Sequence, residues 1–319
     1  MDIGILLFLQ RIREGLGGSL NIFFVFVSTI AVDWYILVPA LIIFWTVDKK
    51  KGGAVLLGWG SSLCLGALLK ATFCVYRPWI RDARVQPPAE IFAGATGYSF
   101  PSGHSFSGGG FWNGIAFAYR ENKPLVRFCI AMVALTMFSR IFLGVHTPQD
   151  VLVGCAVSLV CVWSVSRLMA WLEKHPEKDW MIPAAATVIA AALLCYLKFK
   201  SYPMDYVDGA LLVDPKKMTV DGFKDPGMFY GIAVGWFLER RFVKFDIGGT
   251  RQQKLMRALV GGLLTVFWLT AVANPIGKAA GSGIVHFLTQ ASTPVLFMTV
   301  YPLAFKKIEI KTAQKQTDG

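Results

Sequence analysis

Two of the four histidines in this 319-residue chain, His104 and His146, lie in one stretch with other groups able to hold or transfer a phosphoryl. That stretch opens with Pro101-Ser102-Gly103-His104 and closes with Ser139-Arg140, His146 and Asp150. Just upstream, Lys70 and Arg77-Pro78 add two cations. Lys70, Arg77 and Arg140 make three positive charges; arginine presents a planar fork suited to phosphate oxygens, and lysine a point charge. The pattern predicts a helix starting near Gly103. Ser102 and Gly103 then fall at its N-terminus, where unpaired N–H groups and the dipole favour an anion and glycine lets the backbone approach it. Such a set is a cage for a phosphoryl group, able to stabilise the extra charge of its transition state.

Within the cage His146 is suited to act as a nucleophile, through a phosphohistidine intermediate. Asp150 follows one helical turn later and can bind the other ring nitrogen, fixing the tautomer and stabilising the imidazolium. Thr147-Pro148-Gln149-Asp150 also reads as a helix start, with Thr147 as cap and Asp150 in the first turn; the two roles are compatible. His104 is left to protonate the leaving oxygen and later to activate water. No acidic cluster suits a divalent metal, so neither a metal nor another cofactor is expected. His286 reads as a packed, hydrogen-bonding histidine and His175, in a charged loop, as a solvated one. Gly108-Gly109-Gly110 most simply permits close helix packing.

The elements that must position these groups are membrane helices. The chain is 55% hydrophobic and 16% charged, where a soluble domain carries about a quarter charged residues. Its mean hydropathy is +0.52. Apolar runs at 20–46, 53–74, 103–119, 128–144, 148–169, 181–199, 226–238, 258–273 and 284–305 approach or reach the ~20 residues a crossing needs. The expected fold is all-α: a polytopic transmembrane helical bundle of about nine crossings. Asp33 interrupts the first run, which forms either one crossing or two half-helices. A carboxylate there costs about 2.5–3.5 kcal/mol on insertion, so it should face other helices and pair with a cation. Residues 1–19 suit an interfacial helix, with Leu6, Leu9, Ile12 and Leu16 opposite Arg11, Arg13 and Glu14. Residues 20–172 then form a catalytic membrane core, 173–305 additional helices and 306–319 a polar, mobile tail. Trp112, Trp163, Trp171, Trp180 and Trp236 read as interfacial aromatics.

Charge sets the orientation. Loops 48–52, 120–127, 167–180 and 239–257 and the tail hold 19 of the 32 Lys and Arg. The positive-inside rule places these loops in the cytoplasm, the N-terminus outside (or lumenal) and the C-terminus inside. Lys70, Ser102, His104, Arg140, His146 and Asp150 then converge on one outer membrane–water boundary. The net charge of +12 is thus a loop bias, and nucleic acid is not an expected partner. All six cysteines lie in or beside apolar runs without a C-x-x-C, which argues against disulfides and zinc sites.

Lys70-x6-Arg77-Pro78, Pro101-Ser102-Gly103-His104 and Ser139-Arg140-x5-His146-x3-Asp150 resemble the three signature motifs of the type 2 phosphatidic acid phosphatase superfamily. Its members include lipid phosphatases, undecaprenyl-diphosphate phosphatases, glucose-6-phosphatase and soluble vanadium haloperoxidases. The resemblance covers roughly 70–165 and implies a phosphatidic acid phosphatase/haloperoxidase-like catalytic core. It implies phosphate binding by Lys70, Arg77, Ser102, Gly103 and Arg140, with His104 as acid, His146 as nucleophile, Asp150 as its partner and no metal. The nine-crossing layout, with four crossings after the core, is similar to glucose-6-phosphatase rather than to six-crossing lipid phosphatases. Layout does not carry a substrate with it. The leading expectation is an integral membrane phosphatase for a lipid phosphate or diphosphate of polyprenyl diphosphate, phosphatidic acid or phosphatidylglycerol phosphate type. Sugar-phosphate hydrolysis is the alternative, and a non-catalytic lipid-binding or transport protein the remote one. Such a protein would lie in a bacterial plasma membrane or, in a eukaryote, the endoplasmic reticulum, among membrane lipids; its oligomeric state is left open.

Overall fold

Apolar runs that cannot satisfy their backbone groups from lipid must do so internally, and here they do it as helices. The computed structural model describes residues 2–92, 95–207 and 209–317. In chain order the first helices are α1 (Asp2–Gly15), α2 (Asn21–Thr29), α3 (Trp34–Ile42), continued by a π turn at Ile43–Val47, and α4 (Lys49–Phe73). Two short helices, α5 (Pro78–Arg81) and α6 (Ala89–Phe92), lie in the loop before α7 (Gly103–Ala118), α8 (Lys123–Phe142) and α9 (Pro148–Lys174). After them come α10 (Met181–Phe199), a two-residue ribbon of β1 (Tyr206–Val207) and β2 (Ala210–Leu211), and α11 (Pro215–Gly222). The last group is α12 (Lys224–Leu238), α13 (Arg251–Phe267), α14 (Asn274–Ala280), α15 (Gly283–Val295) and α16 (Tyr301–Thr317); π turns extend α12 and join α13 to α14 and α15 to α16.

The architecture is the all-α membrane bundle expected. Among the described residues six helices are long and apolar enough to cross a bilayer, or seven counting α2 and α3 as one bent span. Helices α7 and α12 stand where two further crossings were expected but do not meet that standard on length and composition. The alternative left open at Asp33 resolves as a break: α2 and α3 meet at 53°. Asp33 sits in the break at φ 54, ψ −138, a region that side chains rarely adopt and that costs on the order of 1–3 kcal/mol. The helix continues through the polar tail as far as Thr317.

Helix α4 is the hub. It packs against α7, α9 and α12, and α12 packs in turn on α15. Small residues set these approaches. A side chain at Gly66 would strike Phe106, one at Gly109 would strike Ser158, and one at Gly110 would crowd Trp59 and Ser62. The glycine triplet of α7 therefore serves packing, as its sequence suggested. At the opposite end of the bundle, ion pairs Lys49–Glu239 at 2.9 Å and Arg240–Asp179 at 2.6 Å tie α4 and α10's leading turn to α12's extension.

Helix α1 differs from its sequence reading on one face. Arg13 is buried rather than solvated, donating to the carbonyls of Phe142 (3.2 Å) and Gln86. Gln10 brackets the same loop, donating to Arg84 O at 3.2 Å and accepting from Gln86 N at 2.8 Å. Leu6 joins this docked face, while Ile5, Phe8, Ile12 and Leu16 stay exposed. The helix thus clamps the loop that leads into α7. Trp163 and Trp180 are exposed as interfacial aromatics should be; Trp236 is buried beside Gly53.

Candidate active site

Local sequence codes the two helix starts that frame the site. Ser102 caps α7, its Oγ accepting from Ser105 N at 3.4 Å. Thr147 caps α9, with Pro148 in the first turn; its Oγ1 accepts from Asp150 N at 3.4 Å while Asp150 Oδ2 accepts from Thr147 N at 2.8 Å. The two starts are tied directly, Ser102 N donating to Asp150 O at 2.9 Å. Residues 104 and 146 are thereby brought to one place from different helices.

Lys70, near the end of α4, is the third support. Its Nζ donates to the carbonyls of Tyr98 (3.0 Å), Ser99 (3.4 Å) and Pro101 (2.8 Å), so one cation gathers the chain entering α7. Arg77 works the same way on the neighbouring loop: Nε donates to Gly97 O at 3.2 Å, Nη2 to Thr96 O at 3.2 Å and Nη1 to Val145 O at 3.0 Å. Nη1 also lies 2.9 Å from His146 Nε2. A guanidinium can only donate, so Nε2 is the lone-pair nitrogen and Nδ1 carries the proton. His146 is 1% exposed. Burial, followed by the nearby charges of Arg77, Arg140 and Lys70, holds its imidazole well below its ordinary pKa, leaving it neutral and nucleophilic at neutral pH.

Asp150 supports the other nitrogen, though not by the simple contact its spacing suggests. His146 Nδ1 is 3.5 Å from Asp150 Oδ2, beyond a good hydrogen bond. Ser99 fills the gap: it accepts from Nδ1 at 3.3 Å and donates to Asp150 Oδ2 at 2.6 Å. Nothing in its sequence context marks Ser99, because its position depends on the loop, where Ser99 N bonds Val75 O at 2.7 Å.

These groups border a cavity of about 600 Å³. Lys70, Arg77, Gly103, His104 and His146 line it; Ser102, Arg140 and Asp150 stand behind the wall. Arg140 is buried with Nη1 on Ser28 Oγ, its Nε without a partner among the described residues, and its charge reaches both His104 and His146. The structure thus gathers all eight sequence-predicted residues, five at the cavity and three as support. It adds a far wall that sequence reasoning missed, drawn from the break at Asp33 and from Lys224, Asp225, Asn274, Lys278, His286 and Gln290. Asp33 makes no ion pair among the described residues; the cation within its electrostatic reach is Lys224. His286, expected to be a hydrogen-bonded packing residue, instead borders the cavity with Nδ1 unpartnered among the described residues.

Residues 51–174 match the PAP2 superfamily, and residues 223–315 match the transmembrane extension described for PAP2 superfamily phosphatases. An undecaprenyl-diphosphatase from Sulfolobus acidocaldarius is 28% identical over 139 residues, which cover 43% of this chain and 64% of that protein. No solved structure matches the chain. The first match holds every motif residue of the cavity and the second holds Lys224, Asp225, Asn274, Lys278, His286 and Gln290 of the far wall, so the chain belongs to the PAP2 superfamily and carries its transmembrane extension.

Proposed function

We propose that the chain is an integral membrane phosphatase acting on a phosphorylated lipid through a phosphohistidine intermediate. The observation that carries this is the position of His146: Nε2 beside the Arg77 fork at the cavity, Nδ1 tied through Ser99 to Asp150. Membership of the PAP2 superfamily and the partial match to an undecaprenyl-diphosphatase support a lipid phosphate or diphosphate as substrate.

The phosphoryl group enters between Lys70 and Arg77, with the N–H groups at the start of α7 near it. The Nε2 lone pair attacks phosphorus, the bond from phosphorus to the leaving oxygen breaks, and that oxygen takes its proton from His104, which the anionic phosphoryl group charges on entering the cavity. The imidazolium formed is stabilised by Asp150 through Ser99. Water then gives a proton to His104 and attacks phosphorus; the N–P bond breaks, its electron pair returns to Nε2, and inorganic phosphate leaves. Charge that grows on the equatorial oxygens meets Lys70 and Arg77, with Arg140 adding its field from behind. Three side-chain cations fill the role a divalent ion plays elsewhere, so no metal is required.

Purified chain in detergent should release phosphate from phosphatidic acid, a polyprenyl diphosphate or p-nitrophenyl phosphate with excess EDTA present. No release from any of them contradicts the phosphatase reading, and a loss that magnesium restores contradicts the metal-free cage.

By the positive-inside rule the basic loops support a cytoplasmic C-terminus and a cavity at the outer or lumenal face. An epitope at the C-terminus should accordingly be reached by antibody only after permeabilisation; labelling of intact cells would reverse the orientation.

A further inference from the structure

Two buried side chains of the N-terminal helices, Arg13 and Ser28, bond the elements that carry the catalytic motifs, and both precede the first residue of the PAP2 match. Helices α1 and α2 pack on α8, whose last turn carries Arg140 and leads through Gly144 to His146. Ser28 of α2 and Arg13 of α1 each bond that last turn.

Ser28 bears on Arg140. It is buried, and its Oγ accepts from Arg140 Nη1, the one side-chain hydrogen bond that Arg140 makes among the described residues. Thr29, the next residue, instead closes its hydroxyl on Val25 O at 2.9 Å within its own helix. A serine holds a guanidinium through a dipole and leaves its charge whole, whereas a carboxylate there would neutralise the charge that a phosphoryl group needs. Phe24, one turn earlier on α2, packs on Phe142 with ring centroids 4.3 Å apart, which keeps α2 in register with the end of α8.

Arg13 bears on the chain that runs to His146. A helix end leaves its last four carbonyls without intrahelical partners. In α8 those of Ser139, Arg140 and Ile141 accept from the turn that follows, at Leu143 N (3.0 Å), Val145 N (3.2 Å) and Gly144 N (2.9 Å). The fourth, Phe142 O, accepts from Arg13 Nη1 at 3.2 Å. A cation there also suits the negative end of the helix dipole. Arg77 Nη1 holds Val145 O at 3.0 Å, so a cation grips each end of the turn and fixes where His146 begins.

We propose that Ser28 and Arg13 are positioning residues of the phosphatase site: Ser28 aims the Arg140 guanidinium, and Arg13 caps α8 so that His146 stands at its place in the cavity wall. The catalytic motifs supply the reacting groups, and the N-terminal helices set two of them. The proposal rests on the phosphatase reading for its reaction.

The test uses the full-length chain in detergent, with p-nitrophenyl phosphate for turnover and inorganic phosphate for binding by calorimetry. The number of phosphate sites per chain counts correctly folded molecules, and rates are expressed per site. Ser28→Ala should lower kcat/KM and phosphate affinity each by about tenfold in the wild-type background. In an Arg140→Gln background the same substitution should change both by less than about twofold, because the side chain it serves is gone. Equal losses in the two backgrounds, or no loss in the first, overturn the role of Ser28. Arg13→Met keeps the bulk of the side chain without its donors and should lower kcat per site by about tenfold. Arg13→Lys, which keeps the charge and reaches one carbonyl instead of two, is the second variant and should lose roughly threefold. Full kcat per site in these variants, whether or not sites are lost, makes Arg13 a folding residue only and overturns its role. A wild-type chain without turnover refutes the phosphatase reading, and the phosphate affinities in the two backgrounds then still decide Ser28.

Discussion

His146→Ala should lower phosphate release by at least ~10⁴-fold while the protein still folds and purifies as the wild type does. The site explains both halves of that expectation. Without the imidazole no lone pair is aimed at phosphorus, and the remaining groups can only bind and polarise the ester. The scaffold, however, does not depend on the ring. Arg77 keeps its bonds to Val145, Gly97 and Thr96, Asp150 keeps those to Ser99 and Thr147 N, and the cap of α9 is unchanged. The direct check is a rapid alkaline quench with radiolabelled substrate. Wild-type protein should retain acid-labile, base-stable phosphate, and the variant none. Turnover that survives the substitution would sink the nucleophile assignment. Ser99→Ala should fall between them, because Asp150 would then face Nδ1 across 3.5 Å with no bridging hydroxyl. A Ser99→Ala protein as active as wild type would reduce Ser99 to a loop-ordering residue.

The cage was legible in sequence because its members sit at helix ends coded within a few residues. Ser102-Gly103 and Thr147-Pro148 announce the starts of α7 and α9, and His104 and His146 then lie at fixed offsets from them. Residues whose role depends on a long-range path were not legible. Ser99 acquires its place from a bond to Val75 and from Lys70 drawing its carbonyl. Asp225 and His286 meet the cage only because α12 packs on both α4 and α15, and no spacing links them to Lys70. Asp33 stood out as a charge in an apolar run, yet its positive φ and its exposure to the cavity required the backbone. Arg13 shows the limit of helical periodicity: its burial follows from carbonyls of Phe142 and Gln86, which lie far along the chain.

Arg77→Lys keeps the charge and should still cost about 10²–10³ in kcat, with Arg77→Gln costing more. The guanidinium spreads its contacts over four partners, namely three loop carbonyls and His146 Nε2. An ammonium has one nitrogen and cannot hold Thr96 and Gly97 in place while facing the nucleophile. The contact to Nε2 is the informative one. It occupies the same lone pair that must attack phosphorus, so it has to be exchanged as the substrate arrives. The Nη1 hydrogen that pointed at Nε2 is then free to bond an oxygen of the phosphoryl group taking its place. That bond strengthens as charge collects on the oxygen, which puts the contribution of Arg77 in the transition state rather than in ground-state binding. Steady-state kinetics distinguish the cases, since an interaction made mainly in the transition state lowers kcat and kcat/KM together. A variant that raises KM and leaves kcat untouched would show that Arg77 only holds the substrate, and the stabilising charge would then have to come from Lys70 and Arg140.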